Sequence, residues 1–157
     1  MKTLKNNHVL KVIIFLLLTS LLGGCSKSGD NNATPASKSG DFISNSTTYT
    51  GTCASIPDVG SGNALGNIDA IIATSSGVSF TIYNIPKQSN GTYNFTDGYT
   101  NAGGSSLYAL FLQSSSSIYA TKSGTVIKTG TNSFTFSCTV YDLNSNQSIN
   151  VTGKGSY

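Results

Sequence analysis

Side chains able to do acid–base or covalent chemistry are few in this sequence and narrow in type. Its 157 residues include one His, three Cys, nine Lys and six Asp, with neither Arg nor Glu. The single His is His8, so beyond residue 24 neither a Ser-His-Asp nor a Cys-His arrangement can be built. A Ser-Lys pair would need an elbow context, and Lys122 instead follows a stretch that reads as a strand. Asp58, Asp69, Asp97 and Asp142 each neighbour Gly, Asn or turn residues, which suits turn capping better than a pair of catalytic carboxylates. Asp142-Leu143-Asn144-Ser145-Asn146 opens like a calcium loop. The positions that need Gly and a bidentate Glu hold Gln147 and Gly153, so a hairpin turn is expected there. Asn101-Ala102-Gly103-Gly104 leads into a strand, which gives a phosphate no helix N-terminus to sit on. No catalytic residue, metal site or cofactor is expected, and the chain reads as a non-enzyme.

Cys25 is the exception. Residues 1–11 carry Lys2, Lys5 and Lys11, and residues 12–22 (VIIFLLLTSLL) are almost wholly apolar. Eleven residues are too few to span about 30 Å of hydrocarbon, which takes about 20 in a helix. They have the length of a signal-peptide core. Leu22-Gly23-Gly24-Cys25 follows: small residues that can enter a peptidase groove, then a thiol that can carry lipid. This resembles the lipobox of bacterial lipoproteins. The resemblance implies cleavage between Gly24 and Cys25, acylation of Cys25 and a durable membrane anchor. Ser26 follows the Cys in place of the Asp that retains many such proteins in the inner membrane. Outer-membrane sorting is thus expected, with the domain in the cell envelope.

The net charge of +3 belongs to the segment before this cut. Beyond residue 24, six Lys balance six Asp, leaving no basic stripe for a nucleic acid. Residues 26–40 (SKSGDNNATPASKSG) lack any large apolar side chain and read as a flexible tether reaching about 20 Å. The expected organisation is a signal peptide over 1–24, an acylated Cys and tether over 25–40, and a β domain over 41–157.

Strands must position whatever the domain presents. Thr, Ile, Val, Tyr and Phe recur in short segments punctuated by Gly, Asn and Ser, with no helical period. Strands are expected over 49–54, 68–74, 78–85, 91–95, 107–112, 118–121, 125–128, 133–141 and 149–152, with a bend at Gly124. Eight or so such strands predict an all-β fold, an antiparallel β-sandwich or a small β-barrel. Phe134, Phe136, Cys138 and Val140 share one face, and Phe80, Phe95 and Phe111 join them in the expected core. Tyr83, Tyr119 and Tyr141 are expected to alternate outward into an aromatic face that could stack on sugar rings. With Cys25 acylated, Cys53 and Cys138 are expected to form a disulfide closing an 86-residue loop, contributing about 4–5 kcal/mol.

The segments around Tyr119, Ser123-Gly124-Thr125-Val126, Phe134-Thr135-Phe136 and Val151-Thr152 are similar to the C-terminal half of small lipoproteins common in Bacteroidota. Those chains carry a Tyr, a Ser-Gly segment, a Phe-x-Phe strand and a closing Val-Thr segment that ends on Phe, where this chain has Tyr157. The resemblance implies a lipid-anchored β domain and brings no catalytic residues. Two roles follow as expectations: a structural or interaction module of the envelope, or a module that binds a glycan or a small apolar ligand. The protein or glycan partner stays open.

Overall fold

Alternation of apolar and hydroxyl side chains gives strands with one face to bury, and such strands stay stable only when they pair and curl around a shared interior. The computed structural model describes residues 38–57, 67–87, 89–101, 106–145 and 147–157. Cys25, Gly24, the signal segment, most of the tether and Asp58 lie outside the described residues. The strands are β1 (Ser39–Ser44), β2 (Thr47–Pro57), β3 (Ile68–Ala73), β4 (Ser79–Ile85), β5 (Gly91–Asn94), β6 (Tyr108–Ser114), β7 (Ser117–Lys128), β8 (Ser133–Asp142) and β9 (Ser148–Ser156). No helix occurs among the described residues.

All pairings are antiparallel, in the order β5-β7-β6-β4-β3-β2-β1-β9-β8, and β7 also pairs with β8. That last ladder closes eight strands into a barrel, with β5 as one extra strand. β7 is long enough to serve three neighbours. Residues 117–120 pair with β6, 125–128 with β5, and the other edge runs along β8. Of the two expected architectures the barrel is the one formed.

No strand was expected over Ser39–Ser44, and β9 runs on to Ser156 where it was expected to end at residue 152. β1 begins at Ser39, so the first strand takes the last two residues assigned to the tether. β7 is one strand where two were expected, with its register shift between Thr121 and Ser123. Its neighbour Gly124 has φ 135°, in the region that favours glycine, and a Cβ there would lie 2.3 Å from the Ser137 carbonyl oxygen.

A barrel of eight strands has an interior just wide enough for side chains to fill it. Here aromatic rings form a continuous column. Successive centroid separations are 5.4 Å for Tyr119–Phe111, 5.5 Å for Phe111–Phe42, 5.7 Å for Phe42–Phe80 and 4.4 Å for Phe80–Phe136. Phe136–Phe134 at 6.2 Å and Phe134–Tyr157 at 6.0 Å complete it. β9 makes room for these rings with Gly153 and Gly155. A Cβ on Gly155 would lie 2.5 Å from Phe134 Cζ, and one on Gly153 would lie 2.6 Å from Phe136 Cζ. The expected core residues Phe80, Phe95, Phe111, Phe134, Phe136, Cys138 and Val140 are all buried.

Candidate functional site

One end of the barrel brings Lys38 and Lys87 together. β1 is entered through Lys38, whose carbonyl accepts the Cys53 N–H at 3.2 Å. β4 is followed by Pro86 and Lys87, β7 ends on Lys128, and the turn to β8 carries Thr131 and Asn132. The Asn132 carbonyl accepts the Tyr157 N–H at 3.0 Å, which fixes Tyr157 across the opening. Lys38, Ser55, Ile68, Lys87, Thr131, Asn132 and Tyr157 line a cleft of about 160 Å³.

Lys128 is tied to this end of the barrel through Lys87. Its register places it in phase with Gly124 and Val126, so it faces inward and is only 2% exposed. Its ammonium donates to the Lys87 carbonyl. Burial, and then the nearby Lys87 charge, hold its pKa below the ordinary lysine value. The Tyr157 ring closes the aromatic column from below, and its hydroxyl is buried with no hydrogen-bond partner. Burial, with the neighbouring Cys53, pushes that hydroxyl up to about 12.

Cys53 and Cys138 are both buried and both free, so the expected disulfide is not formed. Register explains why. Cys53 Sγ lies against Gly155, which pairs with Phe134 on β8. Cys138 is four residues further along β8, opposite Val151, about 13 Å away at strand rise. A disulfide requires Cβ atoms about 4 Å apart. Both cysteines point inward, as alternation indicated, but at different heights in the barrel. Burial raises both thiols, to about 11 for Cys53 and about 12 for Cys138.

The three tyrosines expected on one face are not brought together. Tyr119 points into the barrel, stacks on Phe111 and donates to Gln113 Oε1 at 3.2 Å. Tyr83 faces outward and stacks on Tyr108, its direct partner across β4 and β6, at 4.6 Å. Tyr141 lies on the outer wall against the segment after β5. Its hydroxyl donates to Asp97 Oδ1 at 3.3 Å, and its ring meets Tyr99 edge-on. The shift in β7 reverses the facing of residues on its two sides, which is how Tyr119 turned inward.

The described aspartates serve their own turns and strands. Asp97 Oδ1 also accepts the Tyr99 and Thr100 N–H groups at 2.9 Å each. Burial alone would raise its carboxyl, but these donors, the Thr100 side chain and Tyr141 outweigh burial and leave it below the ordinary value. Asp142 Oδ1 accepts the Asn144 and Ser145 N–H groups at 2.6 and 3.1 Å, which makes the supposed calcium loop an Asx turn. Asp69 caps the Asn84 N–H at 3.0 Å, and Asp41 pairs with Lys154 at 3.6 Å. Among the described residues no three of His, Cys, Asp or Glu come together.

Sequence reading passed over the lysine end. Its signal was available in β7: Lys128 follows Val126 by two residues and thus shares its inward face. Compared with known proteins, the chain matches no family model, no curated protein and no solved structure.

Proposed function

We propose that the chain is a lipid-anchored module of a bacterial cell envelope, held by acylated Cys25 and acting through contacts of its barrel, not through turnover of a substrate. The observation that carries the second half is the filled interior. The column from Tyr119 to Tyr157 occupies the space in which an apolar ligand would be enclosed. Contact is left to the outer wall and the barrel ends. The first half rests on Leu22-Gly23-Gly24-Cys25 after an apolar run of signal-peptide length. Ser26 after that Cys favours the outer membrane as the place of residence. The hydroxyl-covered wall suits a neutral surface that meets a protein or glycan partner.

The anchor is tested by metabolic labelling with an alkyne fatty acid, followed by membrane fractionation of the parent and Cys25→Ala chains. We expect label and membrane retention in the parent, and an unlabelled, released Cys25→Ala chain. A Cys25→Ala chain that stays in the membrane fraction, with no label in the parent, would refute the anchor.

A further inference from the structure

We propose that Tyr99, Tyr141 and Asp97 form a corner on the outer wall that binds a neutral pyranose ring of a glycan. This rests on the reading of the chain as a contact module, and it names the partner's chemistry and the residues that meet it. Tyr99 is 66% exposed, more than any other large apolar side chain among the described residues. Its backbone is nonetheless pinned. The Gly98 N–H donates to the Thr121 carbonyl at 2.7 Å, and the Asn101 N–H donates to the Asp97 carbonyl at 3.0 Å. The Tyr99 and Thr100 N–H groups both end on Asp97 Oδ1. The Asn101 side-chain amide donates to Thr100 Oγ1 at 3.1 Å. Gly98 lets the segment lie close on β7, since a Cβ there would sit 2.9 Å from Thr121 Oγ1. The backbone under the exposed ring is thus fixed before any ligand arrives, which lowers the entropy lost on binding.

The second observation is what surrounds the ring. Tyr141 stands 6.4 Å from Tyr99 with its ring turned by 73°, so the two rings make the floor and side of a corner. Asp97 joins them through the Tyr141 hydroxyl, which donates to Oδ1. The donors on Asp97 outweigh burial and keep it ionised at neutral pH. Three of them fall on Oδ1, so Oδ2 keeps a lone pair for a donor from outside. A hydroxyl donating to a carboxylate makes a short, charge-assisted bond. A pyranose presents the complement. Its C–H face suits the negative face of an aromatic ring, and the hydroxyls around its rim donate. A protein partner would surround an aromatic anchor with an apolar centre. The described chain neighbours of Tyr99 are instead Asp97, Gly98, Thr100 and Asn101. The charge on Asp97 disfavours acidic sugars, which makes the favoured ring a neutral one.

The test uses the full chain in a polyoxyethylene detergent, whose headgroup is not a sugar. It is titrated by calorimetry with cellohexaose and with chitohexaose, and with a galacturonate hexamer as the acidic reference. We expect saturable binding of a neutral hexamer and none of the acidic one. Tyr99→Ala weakens binding about tenfold or more, and Tyr99→Phe, which keeps the stacking face, stays within about twofold of the parent. Asp97→Asn weakens it about threefold or more. Melting temperatures verify that these variants fold. No binding of either neutral hexamer overturns the site, as does binding undiminished in Tyr99→Ala. A Tyr99→Phe chain as weak as Tyr99→Ala overturns the stacking on which the proposal stands. Cross-linking of a protein through Tyr99 in whole envelopes, without hexamer binding, assigns the corner to a protein partner and also overturns it. The hexamers are then recovered and weighed by mass spectrometry. Intact hexamers support binding without turnover, whereas shortened ones keep the site and overturn the reading of a non-enzyme. Fatty-acid labelling of Cys25 is unaffected by any of these variants, so failure of the site and failure of the anchor are read separately.

Discussion

Cys138 sits at the most legible position in the chain and Cys53 at one of the least, and the pair shows what alternation can and cannot say. Alternation with Phe134, Phe136 and Val140 places Cys138 inward, and the structure buries it. Facing is a property of one strand, whereas a disulfide depends on height, which is set by the relative register of β2, β1, β9 and β8. No local pattern encodes that offset. Two thiols so placed are shielded and poorly ionised. In the Cys25→Ala chain, neither Cys53 nor Cys138 should react with an aromatic disulfide reagent at pH 8 while folded. Both should react on unfolding without any reductant. An intact mass two hydrogens short of the fully reduced chain would contradict this. The same limit explains Lys128 and Lys87, whose hydrogen bond depends on which loops share a barrel end.

Among the elements, β8 and the β3–β4 hairpin were readable because their interior positions carry apolar side chains without a gap. β1 was hidden because its inward positions are Gly40, Phe42 and Ser44, and a strand with one large inward residue resembles a linker. β7 was split because its extra residue at Lys122 reverses the pattern halfway along. β9 was read as four residues and has nine, since Gly153 and Gly155 leave gaps in the apolar alternation. Those gaps are filled from the neighbouring strand. Gly155→Ala would set a methyl 2.5 Å from Phe134 Cζ and 2.8 Å from Cys53 Sγ, so a buried ring or thiol must shift to accept it. We expect a loss of about 1–3 kcal/mol in urea unfolding at unchanged slope. Phe134→Leu in the same chain should recover part of the loss, since the two residues share one contact. Additive effects would show that the clash is absorbed elsewhere.

For the whole molecule, fold class was legible from strand spacing, while barrel closure was not, because the β7–β8 ladder could as well have been left open as a sandwich edge. The closed molecule buries neutral tyrosines and thiols, and this sets its response to pH. Tyr141 and Tyr157 are raised from 10.0 to about 12, and Cys53 and Cys138 from 9.0 to about 11 and about 12. A raised pKa gives stability that is fully present below the unfolded value and is lost as pH climbs through the folded one. All four act in the same direction, so the melting temperature should fall steadily from pH 9 to pH 12. Asp97 acts oppositely: its lowered carboxyl stabilises above the ordinary value of 3.8, and that stability is lost as pH drops through the folded one. Asp97→Asn should flatten the acid limb of a calorimetric pH series and leave the alkaline limb in place. An acid limb unchanged by the substitution would mean that the hydrogen bonds to the Asp97 carboxylate contribute nothing.

The position of β9 between β1 and β8 also has a meaning in time. During synthesis the chain emerges from its N-terminus, so β1 and β8 both wait with an unpaired edge until residues 148–156 have been made. The barrel cannot close around its ring column before then.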